Sequence, residues 1–333
     1  MYLWRTSPKA NGYTMKAKFT GHDTFPLRYG WLYKSVNHLK NKGKFQTSNE
    51  EFTRKAIVEL GVGKNMVNAI KYWAEACSFV IAVHEQNKYE HKVSPLGEFL
   101  FGDGVLGTGA DPYLERVGSV WLVHFLLNFN YKTLTAYRYF FNYSNTQNFD
   151  KKKLLDDFSE DSLNLTNSGD ANLSTLKKDL DCFLNTYSKK RKGNTEKKSL
   201  LIDEDYFSSP LSELNLLSES GNSFYISELG ERTSLPIEIF VFALIKFIAV
   251  ENEESGVDSI DFESILSKPC SPGRIFRLSE SALGHKLDKA QEFTNGDVKW
   301  VDSLGLRQVR IKRGVLLNPE SYIYSYFGVS CDE

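Results

Sequence analysis

No stretch of the chain approaches the ~18 consecutive apolar residues that a membrane span needs. The most apolar segment, "IEIFVFALIKFIAV" (Ile237 to Val250), is shorter and carries Glu238 and Lys246, which predicts a buried helix. The N-terminal residues lack the apolar region of a secretory signal, so a cytoplasmic protein without membrane contact is expected. Cys77, Cys182, Cys270 and Cys331 stand alone, with no CxxC spacing. That excludes a disulfide framework and a zinc knuckle. Cys182 lies between apolar neighbours on a helical pattern and is expected to pack as a small buried residue rather than carry sulfur. No fixed-period repeat occurs, and neither a PD-(D/E)xK nor an HNH nuclease signature is present.

What is there suffices for a sizeable core: 333 residues, 41% hydrophobic and 14% aromatic, a length suited to two or three domains. The net charge of −1 conceals a division. Residues 1–100 hold 15 Lys and Arg against 8 Asp and Glu, whereas residues 101–333 hold 26 against 34. A basic front end on a neutral protein points to a polyanion site confined to one part of the chain, although a solvated surface has the same composition.

Hydrophobic periodicity predicts a mainly α (α+β) protein. Leu27, Trp31, Leu32, Val36 and Leu39 recur at helical spacing to about Lys42. A second helix follows the cap-like Thr47, Ser48 and Asn49 and ends at Gly61. A third continues through "GKNMVNAIKYWAEACSF", with Gly63 expected to let the helices approach. The strand-like "VIAVHEQ" and "YEHKVS" then form a hairpin with Asn87-Lys88 at its turn. Three helices and a two-stranded ribbon predict a winged helix-turn-helix over residues 15–104, after a flexible segment 1–14. A helical domain (105–200) contains two apolar bundle helices, a loop near Asn167–Asn172 and an amphipathic helix capped by Ser174 with a basic tail. A mixed C-terminal domain (201–333) holds "SIDFESIL", "SESALGHKLDKAQEF" and the strand-like "GLRQVRIKRG", which predict a second, smaller winged-helix-like unit.

Several motifs carry chemistry. "ELGVGKNMV" is not a phosphate loop, because Asn65 stands where Ser or Thr must bind magnesium and a helix precedes it. Read as a helix-turn-helix, it places Lys64, Asn65, Asn68, Lys71 and Tyr72 on a recognition helix. Lys suits phosphates, and Asn suits adenine edges or phosphates. His84 facing His91 and Glu85 facing Glu90 on the ribbon imitate a metal cage, but successive strand residues point to opposite faces. In "GHDTFP", Asp23 or Thr24 has the chemistry to cap the following helix. Equally, His22 as acid or base, Asp23 as ligand to Mg2+, and Arg28 on a phosphate are residue types that phosphodiester hydrolysis uses. No second acidic ligand is near in sequence. Asp179 and Asp181 are candidates from across the fold, though an i, i+2 pair on a helix diverges. "SPGRIFRLSE" adds Arg274 and Arg277, compatible with phosphate.

Together, "FTGHDTFPLRYGWL", "ELGVGKNMVNAIKYW", "VSPLGEFL", "TLKKDLDCFLNTY" and "SPGRIFRLSE" resemble a bacterial family of unknown-function domains, the SspB-like proteins of single-stranded DNA phosphorothioation systems. The resemblance spans about Phe19 to Tyr326. It implies anti-phage (antiviral) defence beside a cysteine desulfurase, an ATPase and an ATP-pyrophosphatase-like sulfur-transfer protein. It also implies a nickase, an endonuclease that cuts one strand of double-stranded DNA and opens the backbone for sulfur. A non-enzymatic winged-helix adaptor or transcriptional regulator is the alternative.

Overall fold

The structure of the chain, a computed structural model, describes residues 14–41, 43–45, 49–85, 88–102, 109–166, 172–188, 209–221, 223–251, 259–303, 305–312, 314 and 318–329. Thr47, Ser48, Asn87, most of the expected loop before Asn172, the basic tail after Ser188, the 104/105 boundary, Cys331 and residues 1–13 lie outside these.

A short strand β1 (Lys16–Ala17) leads into the "GHDTFP" turn, and helix α1 (Trp31–Lys40) follows. The helix starts four residues later than its apolar spacing predicts. Leu27 is buried, but Gly30 at φ 76° interrupts the chain before Trp31 and is the N-cap, without a side-chain cap. Neither Asp23 nor Thr24 therefore caps it. Helix α2 (Glu50–Leu60) is capped by Asn49, whose side chain accepts from the backbone of Glu51 and Phe52. It ends at Gly61, whose φ of 65° suits glycine. Helix α3 (Lys64–Ala76) begins after Gly63. A Cβ at Gly63 would meet nothing within 4 Å, so close helix approach is not the reason for that glycine.

Strands β2 (Val80–Glu85) and β3 (Lys88–Val93) pair antiparallel with Glu85 opposite Lys88 and His84 opposite Tyr89. The expected register is therefore two residues off, and the His84–His91 and Glu85–Glu90 pairs do not form. Helix α4 (Pro95–Phe101), capped by Ser94, closes this part of the chain.

Helix α5 (Val117–Asn128) is apolar on every side and almost wholly buried. Strand β4 (Thr133–Leu134) pairs in parallel with β1 and leads into the buried helix α6 (Ala136–Asn142). Then come β5 (Asn148–Asp150), α7 (Lys151–Leu165) and α8 (Leu173–Tyr187). Asn172, not Ser174, caps α8, because its side-chain Oδ1 accepts the Ser174 backbone N–H. Strands β6 (Ser218–Gly221) and β7 (Phe224–Ile226) join β5 in a sheet of order β5-β7-β6.

The apolar segment is the buried helix α9 (Ile237–Glu251), as expected. After it come β8 (Ser259–Asp261), α10 (Phe262–Ser267), α11 (Pro272–Ile275), α12 (Glu280–Phe293), β9 (Val298–Ser303), β10 (Leu306–Ile311) and α13 (Glu320–Tyr326). Strand β10 lies between β8 and β9, antiparallel to both. Helices dominate, and strands gather in small separate sheets. No helix among the described residues is long and apolar enough to cross a membrane.

Candidate functional site

The "GHDTFP" turn is forced by backbone conformations that L-residues resist. Gly21 sits at φ +116°, and Asp23 and Thr24 follow at +45° and +66°. A Cβ on Gly21 would also come within 2.8 Å of the Tyr72 ring. The reversal drives His22 inward, where it is 1% exposed. Its Nδ1 accepts the Thr24 backbone N–H at 3.0 Å, so the ring proton resides on Nε2 and is donated to Asp179 at 2.9 Å. The other oxygen of Asp179, itself fully buried, accepts the Ala136 N–H at 2.6 Å. Phe25 completes the attachment, its carbonyl receiving the Trp73 indole N–H at 3.0 Å and the Cys182 thiol at 3.4 Å. Both imidazole nitrogens are thus engaged within the protein. His22 pins the turn to α8 and α6.

Asp23 points the other way. Its carboxylate accepts from the side-chain amide of Asn68 on α3 at 3.0 Å. Arg28 lies over the rings of Phe25 and Trp31, at 5.7 and 5.6 Å. The fold therefore brings Asp23 to the recognition-helix candidate Asn68 and separates it from His22. Asp179 and Asp181 diverge as expected, the second pairing with Lys151 at 2.5 Å.

On α3, Lys64 and Asn65 are exposed, and Asn68 and Lys71 are half-buried. Tyr72 is a correction. It is 3% exposed and its hydroxyl meets that of Tyr137, so it cannot face a ligand. Burial raises its phenol well above the ordinary range. One amphipathic stripe predicts an outward Tyr72, but α3 is covered on a second side by the Gly21 turn. Arg274 and Arg277 are corrected likewise. Arg274 donates to the carbonyls of Asn142 and Ser144 at 3.2 Å. Arg277 is 4% exposed, donates to the carbonyls of Thr146 and Ser227, and is pushed down to about 9 by burial. The buried Arg277 has nothing to offer a phosphate, whereas the half-buried Arg274 also holds the Asn145 side chain and is committed within the protein.

Sequence reading missed the polar groups that organise this region. Arg138 is 2% exposed and donates to the carbonyls of Leu127 at 2.8 Å and Ala76 at 3.3 Å, at the ends of α5 and α3. Glu75 receives His91 Nε2 at 2.8 Å and lies 3.7 Å from Lys18 and 3.8 Å from Lys71. Burial pushes the Glu75 carboxyl up, but His91, Lys71 and Lys18 outweigh it and hold it below its ordinary value. Only the Lys71–Glu75 pair, four residues apart on α3, has a local signal; Lys18, His91 and the Arg138 partners lie on separate elements. Cys182 is 2% exposed and burial raises its thiol well above the usual range, in keeping with a packing role.

Among the described residues no group of three or more His, Cys, Asp or Glu side chains is arranged to hold a metal ion. Asp23 is one carboxylate on its turn, and both oxygens of Asp179 already accept hydrogen bonds. These residues do not by themselves make a magnesium site.

The chain is thus a helix-rich mixed α and β protein whose basic N-terminal helix–ribbon unit is fastened by buried polar bridges to an apolar helical centre. Residues 19–327 match the family described as a protein of unknown function (DUF4007), and the chain belongs to that family. It is similar to the crystal structure of SspB, with a TM-score of 0.76 and 24% identity over 94% of this chain and 89% of that one. A magnesium ion-bound SspB crystal structure gives 0.75 and 24% over 95% and 91%. These likenesses agree with the family resemblance carried by the separated motifs and establish the fold. No curated protein matches the chain in sequence.

Proposed function

We propose that this protein is the DNA-binding component of a DNA phosphorothioate modification system, and that its N-terminal helix–ribbon unit is a winged helix that engages duplex DNA. The observation that carries the reading is the exposed first turn of α3. Lys64 and Asn65 stand there beside the free N–H groups of a helix start, a ready site for phosphate. The ribbon β2–β3 follows directly, as a wing does. The order α9, β8, α10, α11, α12, β9, β10, with sheet order β8-β10-β9, supports a second winged helix. Its α12 exposes Asp288 and Glu292 against the single lysine Lys289, and Glu280 pairs with Arg307, a net acidic face that repels phosphate, so DNA contact is assigned to the first unit.

Nicking of one strand with Mg2+ goes with the resemblance to SspB. In this reading Asp23 and Arg28 act at the turn, and His22 positions it from beneath. Substrate phosphates would complete a magnesium shell that one carboxylate cannot, since this ion is often held by one or two carboxylates plus phosphate oxygens. The engaged state of His22 and Asp179 favours a second reading, a non-enzymatic adaptor whose acidic α12 face recruits the other system proteins. Supercoiled plasmid incubated with the purified chain, with magnesium and with chelator, separates the two. Magnesium-dependent conversion to the open circle supports the nickase, and unchanged plasmid together with a gel shift supports the adaptor.

A further inference from the structure

The basic residues near α3 continue past the helix–ribbon unit. Lys64 and Lys71 lie seven residues apart on α3, two turns along one face. Lys71 and Lys18 flank Glu75 from opposite sides within 4 Å. Lys16 on β1 and Lys18 just after it are two residues apart, and the Lys18 N–H continues the pairing to the Leu134 carbonyl, so the two share a face. The Lys16 N–H bonds the Lys132 carbonyl at 2.8 Å, so Lys132 on the neighbouring segment extends the line. Lys16 and Lys132 are exposed, and the Lys18 side chain is 39% exposed.

Lys18 and Lys132 border a cleft of about 370 Å³ between β2 and the segment entering β4. Lys18, Lys132, Tyr131 and the β2 residues Val80 to Ala82 line it, with the Glu75 carboxylate 3.7 Å from Lys18. The cleft is apolar along β2 and cationic along its rim. Its volume is that of a small-ligand pocket. Burial and the neighbouring charges Arg138 and Lys71 depress the Lys18 ammonium against the opposing pull of Glu75, so an added anion would relieve the crowding.

We propose that this cleft holds a single strand of DNA leaving the duplex bound at α3, its phosphates on Lys18 and Lys132 and a base against the β2 wall. The proposal rests on the reading that α3 binds DNA. Charge and lining select the occupant: the cations Lys18 and Lys132 suit a phosphodiester chain, and the apolar β2 wall suits an unpaired base.

The test uses the full chain and two fluorescent probes, a blunt duplex and the same duplex with a ten-nucleotide thymidine tail, followed by anisotropy against salt. The tail is expected to raise affinity on the order of tenfold at low salt. It should also steepen the log–log salt slope by about 1.4, at ~0.7 per single-strand phosphate neutralised. The double variant Lys18→Ala, Lys132→Ala should lose that gain and keep its blunt-duplex affinity. Lys132→Glu, at an exposed position that does not disturb Glu75, should lose most of it alone. A tail gain unchanged in both variants overturns the proposal, as does an equal loss on blunt duplex, which would make the cleft part of the duplex footprint. If the parent binds blunt duplex without any tail gain, this inference fails while the DNA-binding reading stands. If it binds neither probe, both fail.

Discussion

His22 and Asp23 are neighbours in sequence and turn to opposite sides of the backbone, so one substitution tests each role. Asn at position 23 tolerates the positive φ and keeps an oxygen for Asn68. Asp23→Asn should therefore melt like the parent. If the carboxylate assists strand cleavage, plasmid nicking should disappear while the gel shift persists. Nicking at the parental rate would show that this turn is architectural. Asp179 tells a different story. Asp179→Ala leaves the His22 Nε2–H and the Ala136 N–H buried without an acceptor, at about 1–3 kcal/mol each. Urea unfolding should show a loss of about 3 kcal/mol; a loss below about 1 kcal/mol would mean that the bridge is dispensable.

At the scale of elements, α3 combines a buried wall with a short exposed edge. Lys64 is on that edge, whereas Lys71 is half-buried beside Glu75. Replacing both by Ala should weaken binding to duplexes of any sequence and reduce the salt slope by up to about 1.8, at ~0.9 per phosphate contact. Lys64→Ala alone should account for the larger share, because the charge of Lys71 is partly committed to Glu75. Equal binding by parent and double variant in low salt would move the DNA site off this helix. Helix α8 makes a separate statement about sulfur. Cys182 is sealed between the Phe25 carbonyl and the core, so Cys182→Ser should fold and leave phosphorothioate modification in cells intact. Loss of modification with normal expression would argue for a persulfide relay through this thiol.

Across the whole molecule, α5, α8 and α11 meet at His124. Its Nε2–H donates to the Ile275 carbonyl and its Nδ1 accepts from the Tyr187 hydroxyl, both at 2.8 Å. Burial pushes this imidazole down to about 3 from an ordinary 6.5, against the opposing effect of the Ile275 bond. The folded protein therefore keeps His124 neutral at pH values where the unfolded chain takes up a proton. The unfolded state binds more protons between about 6.5 and 3, so stability falls as pH falls through that window. His124→Gln retains an amide donor for Ile275 and does not titrate. Its melting temperature, though lower at pH 7, should decline less between pH 7 and 5 than the parent's. Parallel declines would remove His124 as a source of the acid sensitivity.

Local pattern was enough for the helices and for the ribbon that follows α3, because apolar spacing, Gly61 and Ser94 act within a few residues. The apolar run of α9 read as a buried helix for the same reason, and the separated motifs carried the family. Strand β9 was missed, since "VKWVDS" alternates weakly and is a strand through pairing with β10. The ribbon register needed the strand pairing itself, as no residue in the sequence marks a unique turn. Residue type alone nominated His22, Asp23, Arg28, Lys64 and Asn68 as candidates. Which way each side chain points was decided by tertiary contact. Asp179, 157 residues from His22, draws the imidazole inward, the Gly21 turn buries Tyr72, and backbone carbonyls capture Arg277. A buried polar group goes where its hydrogen-bond partner is, and distant partners leave no trace in local sequence.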